Sequence, residues 1–74
     1  SLEDVDFSRI AEVNQLLQVM IEFELDTLEF YRLFRSLIAS ESERRELSRI
    51  IADEEEHIDK LLTCRDKNLA CHKQ

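Results

Sequence analysis

Apolar residues recur with a helical period in two stretches of the chain, which are separated by one short polar break. The apolar face of the first stretch consists of Ile10, Val13, Leu17, Met20, Ile21, Leu28, Tyr31 and Ile38. The face of the second stretch consists of Leu47, Ile50, Ile51, Ile58, Leu61 and Leu62. The sequence ASES at residues 39–42 is the break between them. The pattern therefore predicts an all-α fold, an antiparallel helical hairpin with helices over about 6–38 and 43–70.

Capping residues are available at the start of both predicted helices. Asp6 or Ser8 is suited to cap the first helix, because a short side-chain oxygen can accept from a free backbone N–H. Ser40 or Ser42 is suited to cap the second helix, and Glu43 follows Ser40 at the spacing of a capping box.

Each apolar face has a carboxylate at its centre. Glu24 occupies the middle of the first face and Glu54 the middle of the second, with His57 about 60° to one side of Glu54. Glu55 falls at the edge of that face, and Glu56 on the opposite, solvated side. Both Glu24 and Glu54 lie roughly 22 Å from the turn at the rise of an α-helix. Three ionisable groups are therefore expected to meet within one layer of the core.

Buried carboxylates need compensation, because an unpaired one costs several kcal/mol. The basic residues on the apolar faces are Arg35 and Arg65, each about 16 Å along its helix from the nearest inward carboxylate. We expect Arg35 to meet Glu43 or Glu46 near the turn instead. A metal ion is then the simplest compensation, and carboxylate and imidazole ligands suit iron or manganese and also bind zinc. A chance Glu-x-x-His sequence, or an Arg from a partner chain, stays open as another explanation.

The short length of the chain indicates that it needs a second copy of itself, and its negative charge indicates that it attracts cations. A chain of 74 residues is short for an independent core. Its net charge of −7 disfavours nucleic acid and membrane as partners and favours cations. One hairpin supplies half of a metal site, whereas two hairpins supply four glutamates and two histidines, the ligand set of di-iron carboxylate bundles. The sequence therefore predicts a homodimer that completes the site.

The two cysteines are not expected to form a disulfide. Cys64 and Cys71 would lie about 10.5 Å apart on one continuous helix, which exceeds the span of a disulfide. Reduced thiols, the absence of a signal-peptide pattern and the absence of a membrane-length apolar run predict a cytoplasmic location.

The stretch IEFELDTLEFYRLF at 21–34, followed by ELSRIIADEEEHIDKLL at 46–62, resembles one half of a four-helix bundle of the rubrerythrin branch of the ferritin-like superfamily. The resemblance covers about residues 10–62 and implies a hairpin that dimerises into a ferritin-like four-helix bundle. It implies that Glu24, Glu54 and His57 are ligands of a di-iron centre, with Glu54 bridging, His57 terminal and Glu24 in either position. Tyr31 would lie beside these ligands. The implied activity is ferroxidase-type oxidation of Fe(II).

A half-length chain that dimerises is similar to the encapsulated ferritins, whose two-helix chains assemble into rings. That similarity implies a higher ring-like oligomer and an encapsulin shell as partner and compartment. Two departures weaken it. Encapsulated ferritins carry additional acidic residues around the first ligand as a route for metal entry. Here Phe23 precedes Glu24, and Glu22 and Asp26 point elsewhere. The C-terminal sequence CRDKNLACHKQ also does not match a shell-docking peptide.

Two other functions stay open. One is reduction of peroxide in the manner of rubrerythrin, although the chain has no rubredoxin domain to deliver electrons. The other is a non-catalytic, metal-binding dimerisation module. The first helix also has an apolar arc wider than one partner needs, either for a wide core or for a second interface. Its additional residues are Leu16, Phe23, Phe30, Leu33, Phe34 and Leu37.

Overall fold

The computed structural model describes residues 6–67, and within that range the chain is entirely helical apart from its connections. Helix α1 spans Phe7–Leu37 and helix α2 spans Glu41–Asp66. Arg35 contacts Ser48 near the connection, whereas Gln18 contacts Arg65 at the other end of the hairpin. The two helices therefore run antiparallel, which confirms the predicted helical hairpin.

Side-chain caps define where both helices begin. The Asp6 carboxylate accepts from the backbone N–H of Arg9 at 3.1 Å, and the Ser40 hydroxyl accepts from that of Glu43 at 3.4 Å. Glu41 and Glu43 in the first turn of α2 also favour the positive end of its dipole. Of the alternative caps, the structure therefore uses Asp6 and Ser40.

The core consists of two apolar clusters between the helices. One contains Leu17, Ile21 and Leu61, and the other contains Leu28, Ile51 and Ile58. Leu47 is buried closer to the connection. Glu24 falls between the α1 members of the two clusters, and Glu54 between Ile51 and Ile58 of the second. The carboxylates are thus inserted into the apolar layer that joins the helices.

Several residues of the predicted apolar faces are exposed in the hairpin. They are Ile10, Val13, Met20 and Ile50, each with 38–46% of its surface accessible. Ile10 and Val13 precede Gln18, which meets the last turn of α2, so these two residues extend beyond the end of α2. Met20 and Ile50 lie on the side of each face that turns away from the other helix. The predicted core was therefore too wide for one hairpin.

The prediction that the cysteines stay unbonded is wrong, because Cys64 is disulfide-bonded. The only other cysteine of the chain is Cys71, which lies outside the described residues. The distance argument assumed one helix through both positions, but α2 ends at Asp66, before its predicted end near residue 70. Neither described helix is long and apolar enough to cross a membrane.

Candidate metal centre

The three residues predicted to converge do so at the middle of the hairpin. One ligand atom from each of Glu24, Glu54 and His57 lies within 4.8 Å of the others. His57 Nδ1 is 2.7 Å from Glu24 Oε2 and 3.5 Å from Glu54 Oε1. The predicted meeting of Glu24, Glu54 and His57 within one layer of the core is therefore confirmed by contacts between the helices.

The helical period separates three consecutive glutamates of α2. The side chain of Glu54 is 18% exposed, that of Glu55 is 47% exposed and that of Glu56 is 69% exposed. Each residue advances about 100° around the axis, so only one of the three can face the other helix. Glu54 is that residue, as predicted, and His57 follows it one turn later on the same side.

The position of Glu24 is set by its neighbours on α1. Ile21 and Leu28 are buried against α2, at 2% and 5% exposure, and they bracket Glu24 on the same face. Glu22 lies on the outer side, where its carboxylate accepts from Gln18 at 2.9 Å. The side chain of Glu24 is consequently only 17% exposed.

His57 departs from the expected buried position. Its side chain is 51% exposed, although its Nδ1 faces the two carboxylates. The imidazole lies at the rim of the site because its 60° offset turns it to the edge of α2 that α1 does not cover. The isolated hairpin therefore leaves the site open on the His57 side.

The basic residues near the hairpin axis do not reach the carboxylates. Arg35 donates to the Ser48 hydroxyl at 3.1 Å, and not to Glu43 or Glu46 as predicted. Arg65 is held at the far end of the hairpin. In the part of the chain that the structure describes, His57 is thus the basic group in contact with both inward carboxylates.

The charge balance of the site favours an added cation or proton. Hydrogen bonding with Glu24 raises the pKa of the Glu54 carboxyl above its ordinary value of 4.5. Burial and repulsion from the Glu24 charge raise this pKa further, and His57 opposes the shift. Glu54 Oε1 is buried without a hydrogen-bond partner. Its 3.5 Å approach to His57 Nδ1 does not satisfy it, because that nitrogen is closer to Glu24.

This donor set fits a divalent metal ion. Two carboxylates and one imidazole present oxygen and nitrogen ligands that suit iron or manganese and also accept zinc. The unpartnered Glu54 Oε1 is the atom that a cation would satisfy. Three ligands would not complete the coordination of these ions, and the hairpin leaves the His57 side open to further ligands.

Tyr31 is placed near the site by the core. It is half-buried and packs against the cluster of Leu28, Ile51 and Ile58. The ring of Phe30 lies 6.2 Å from its ring. Its role beside a metal stays a prediction.

Sequence reasoning did not anticipate the ion pair next to the site. Arg32 donates to Glu55 at 2.6 Å and so joins the two helices beside Glu54. Arg32 is eight residues before Ser40 and Glu55 is fifteen after it, so their heights differ. The long arginine side chain spans that difference, which a comparison of heights does not detect.

Comparison with known proteins finds no match: no family model, no curated protein and no solved structure matches this chain. The helical hairpin and its Glu24, Glu54 and His57 cluster are therefore the basis for any functional conclusion.

Proposed function

We propose that this protein binds iron in a ferritin-like manner and that two copies complete a di-iron carboxylate site that oxidises Fe(II). The observation that carries the proposal is the meeting of Glu24, Glu54 and His57, with Glu54 Oε1 buried and unpaired. An apolar core keeps such a cluster only if something compensates its charge.

A second copy supplies what the hairpin lacks. Two hairpins around a two-fold axis bring together four glutamates and two histidines, which is the ligand set of ferritin-like di-iron bundles. The half-exposed His57 marks the side on which the second set must approach. Manganese and zinc share the same ligand preferences and are the competing metals.

The proposed substrate is Fe(II), with O₂ or peroxide as the oxidant. Each Fe(II) loses one electron, and two such electrons together with two protons from the solvent reduce O₂ to hydrogen peroxide, or hydrogen peroxide to two molecules of water. Negatively charged carboxylates favour the product Fe(III) because it has the higher charge. Glu24 and Glu54 would provide that negative charge, His57 would provide a neutral nitrogen ligand, and the packed core of Tyr31 and its neighbours would limit water on one side.

Metal analysis of protein produced in iron-rich medium tests the proposal. We expect about one iron per chain, the content that one di-iron site per dimer requires, and oxidation when the stripped protein receives Fe(II) in air. Glu24→Ala and His57→Ala should both lower the iron content. Glu22→Ala is the matched control, because Glu22 is an acidic residue of α1 that faces outward. Iron content that is unchanged in Glu24→Ala, or absent in the parent protein, contradicts the proposal.

The same preparation separates the two other functions. Stoichiometric zinc without oxidation of added Fe(II) would indicate a non-catalytic dimerisation module. Loss of the ferric absorbance with a reductant, followed by its recovery with peroxide and not with O₂, would indicate peroxide reduction.

A further inference from the structure

Helix α1 has a second row of apolar residues on a side that α2 does not cover. Their spacing alternates between three and four residues, which is the pattern of side chains that face another helix. The row, called the seam below, consists of Leu16, Met20, Phe23, Thr27, Phe30, Phe34 and Leu37. Its six large apolar members are each 46–74% exposed.

The single polar member of the seam is compatible with burial. The Thr27 hydroxyl donates to the backbone carbonyl of Phe23 at 3.0 Å, so it would not be left unsatisfied in an interface. Phe30 and Phe34 already stack, with their ring centroids 6.2 Å apart and their planes 16° from parallel. The seam therefore presents a continuous apolar surface, of a kind that commonly marks an interaction site.

The order of residues in the seam is almost the same in both directions from Thr27. A phenylalanine stands on either side, then Met20 or Phe34, and then a leucine at each end. An antiparallel copy would place Phe23 opposite Phe30, Met20 opposite Phe34 and Leu16 opposite Leu37. A shift by one heptad would leave an end leucine and its neighbour in the seam, either Leu16 with Met20 or Leu37 with Phe34, without an apolar partner.

The centre of the seam lies at the height of the metal ligands. Three contacts across the hairpin fix the heights: Glu24 with His57, Gln18 with Arg65, and Arg35 with Ser48. All three place Thr27 opposite the segment of α2 between Glu54 and His57. A two-fold axis at the seam centre would therefore pass between the two half-sites and hold them at the same height.

We propose that α1 pairs antiparallel with α1 of a second copy along the seam, with the two-fold axis at Thr27. The seam would then be the surface that assembles the site. The binding of metal ions between the two copies rests on the proposed function, whereas the pairing of the two α1 helices does not. A phenylalanine can bury about 150–250 Å². At the exposures found, the seam would bury roughly 600 Å² per protomer, close to the smaller specific interfaces.

The corresponding row of α2 is mostly polar. Its members are Glu46, Ile50, Asp53, His57 and Lys60. Apolar burial therefore drives association through α1, and the α2 side stays the hydrated side of the assembled bundle.

A pair of matched substitutions tests which side of α1 associates. Phe30 and Leu33 are 62% and 61% exposed, but only Phe30 belongs to the seam. Phe30→Asp should weaken the dimer about 100-fold or more, because it places an unpaired charge in the interface. Leu33→Asp, with the same change in charge, should leave the dimer unchanged. Sedimentation of the metal-loaded proteins measures both, with circular dichroism to verify helix content. Equal effects of the two substitutions overturn the proposal.

Cysteine cross-linking tests the register without removing an apolar contact. Thr27→Cys lies on the proposed axis, so mild oxidation should join position 27 of two chains. Glu29→Cys, about 160° around the helix, is the control and should not cross-link. Peptide mapping distinguishes these products from bonds of Cys64 or Cys71. No cross-link in Thr27→Cys, or equal cross-linking in Glu29→Cys, overturns the proposal.

The double variant Leu16→Cys with Leu37→Cys gives the direction of the second helix. These positions are about 31 Å apart on one helix, so a bond between them must join two chains. The antiparallel arrangement predicts 16–37 bonds, whereas bonds of 16–16 and 37–37 would overturn it. Metal content is measured on the same samples. Correct cross-links without metal would refute the proposed function alone, and bound metal without these cross-links would refute the seam alone.

Discussion

The two helices of the hairpin share one core but differ in what they leave exposed. Of thirteen exposed large apolar side chains in the described residues, twelve are on α1 and only Ile50 is on α2. Each helix also places one carboxylate into the shared core, Glu24 from α1 and Glu54 from α2. A helix that is polar outside its core face needs one partner, whereas α1 has apolar surface for two.

This difference suggests that α1 provides the surface for assembly, while most of the candidate metal ligands lie on α2. Helix α2 supplies both Glu54 and His57, and α1 supplies Glu24 together with the seam that we propose joins two copies. Burial of the seam would favour association, while the carboxylates near the axis would repel each other without a cation. The following predictions test this division, beginning with the largest expected effect.

Glu54→Ala should reduce Fe(II) oxidation more than about 100-fold, beyond the 10–100-fold loss typical of residues that only orient a ligand. The metal-free variant should be at least as stable as the metal-free parent, because the contact between two like, partly buried carboxylates is removed. Stopped-flow absorbance and thermal melting measure the two effects.

The control is Glu56→Ala, two residues further along the same helix. Glu56 is exposed and pairs with Lys60 at 3.5 Å, so its loss should change stability by no more than about 0.5 kcal/mol. Oxidation should be unaffected. Similar losses of oxidation in both variants would show that the division between inward and outward glutamates is wrong.

Removal of metal should weaken the dimer. A ligand that binds only the assembled state and is present at about 100 times its Kd stabilises that state by about 2.7 kcal/mol. Chelator should therefore lower the melting temperature and shift the sedimentation profile towards the monomer. A dimer that melts at the same temperature with and without chelator would mean that the seam alone determines association.

The metal-free protein should become more stable relative to its Glu54→Gln variant as pH falls. The pKa of Glu54 is raised in the folded state, so the folded protein binds its proton more tightly than the unfolded chain does. The ionised Glu54 carboxylate therefore destabilises the folded protein. This destabilisation is absent at pH values below the ordinary pKa of 4.5 and is complete at pH values above the raised pKa. Urea unfolding of both proteins across this interval measures it. A stability difference that does not vary with pH contradicts the assigned contact with Glu24.

The smallest effect is expected for Arg32→Ala. This residue joins α1 to Glu55 of α2 at 2.6 Å, but both side chains are about half-exposed. Ion pairs of this kind contribute about 0–1 kcal/mol, less in high salt. Urea unfolding at low and high salt provides the measurement, and a loss well above that range would assign the pair a larger role in holding Glu54 in place.

Local rules applied to the sequence correctly predicted the helices, their caps and the inward carboxylates. Asp6 and Ser40 cap because their side chains reach nearby backbone N–H groups, and Glu54 faces inward because the helical period allows only one of three consecutive glutamates to do so. Similar numbers of residues from the turn, 16 for Glu24 and 14 for Glu54 counted from Ser40, also predicted that the two carboxylates meet in one layer of the core. Each of these features depends on neighbours along the chain or on the constant rise of a helix.

Tertiary structure decided how much of each face one partner covers. Ile10 and Val13 are exposed because α1 extends beyond the end of α2. Met20 and His57 are exposed because each lies at the edge of its face, where the other helix does not cover it. The disulfide of Cys64 depended on where α2 ends. Periodicity gives the direction of a side chain around its own axis, but exposure depends on the length, end and lateral offset of the helix packed against it.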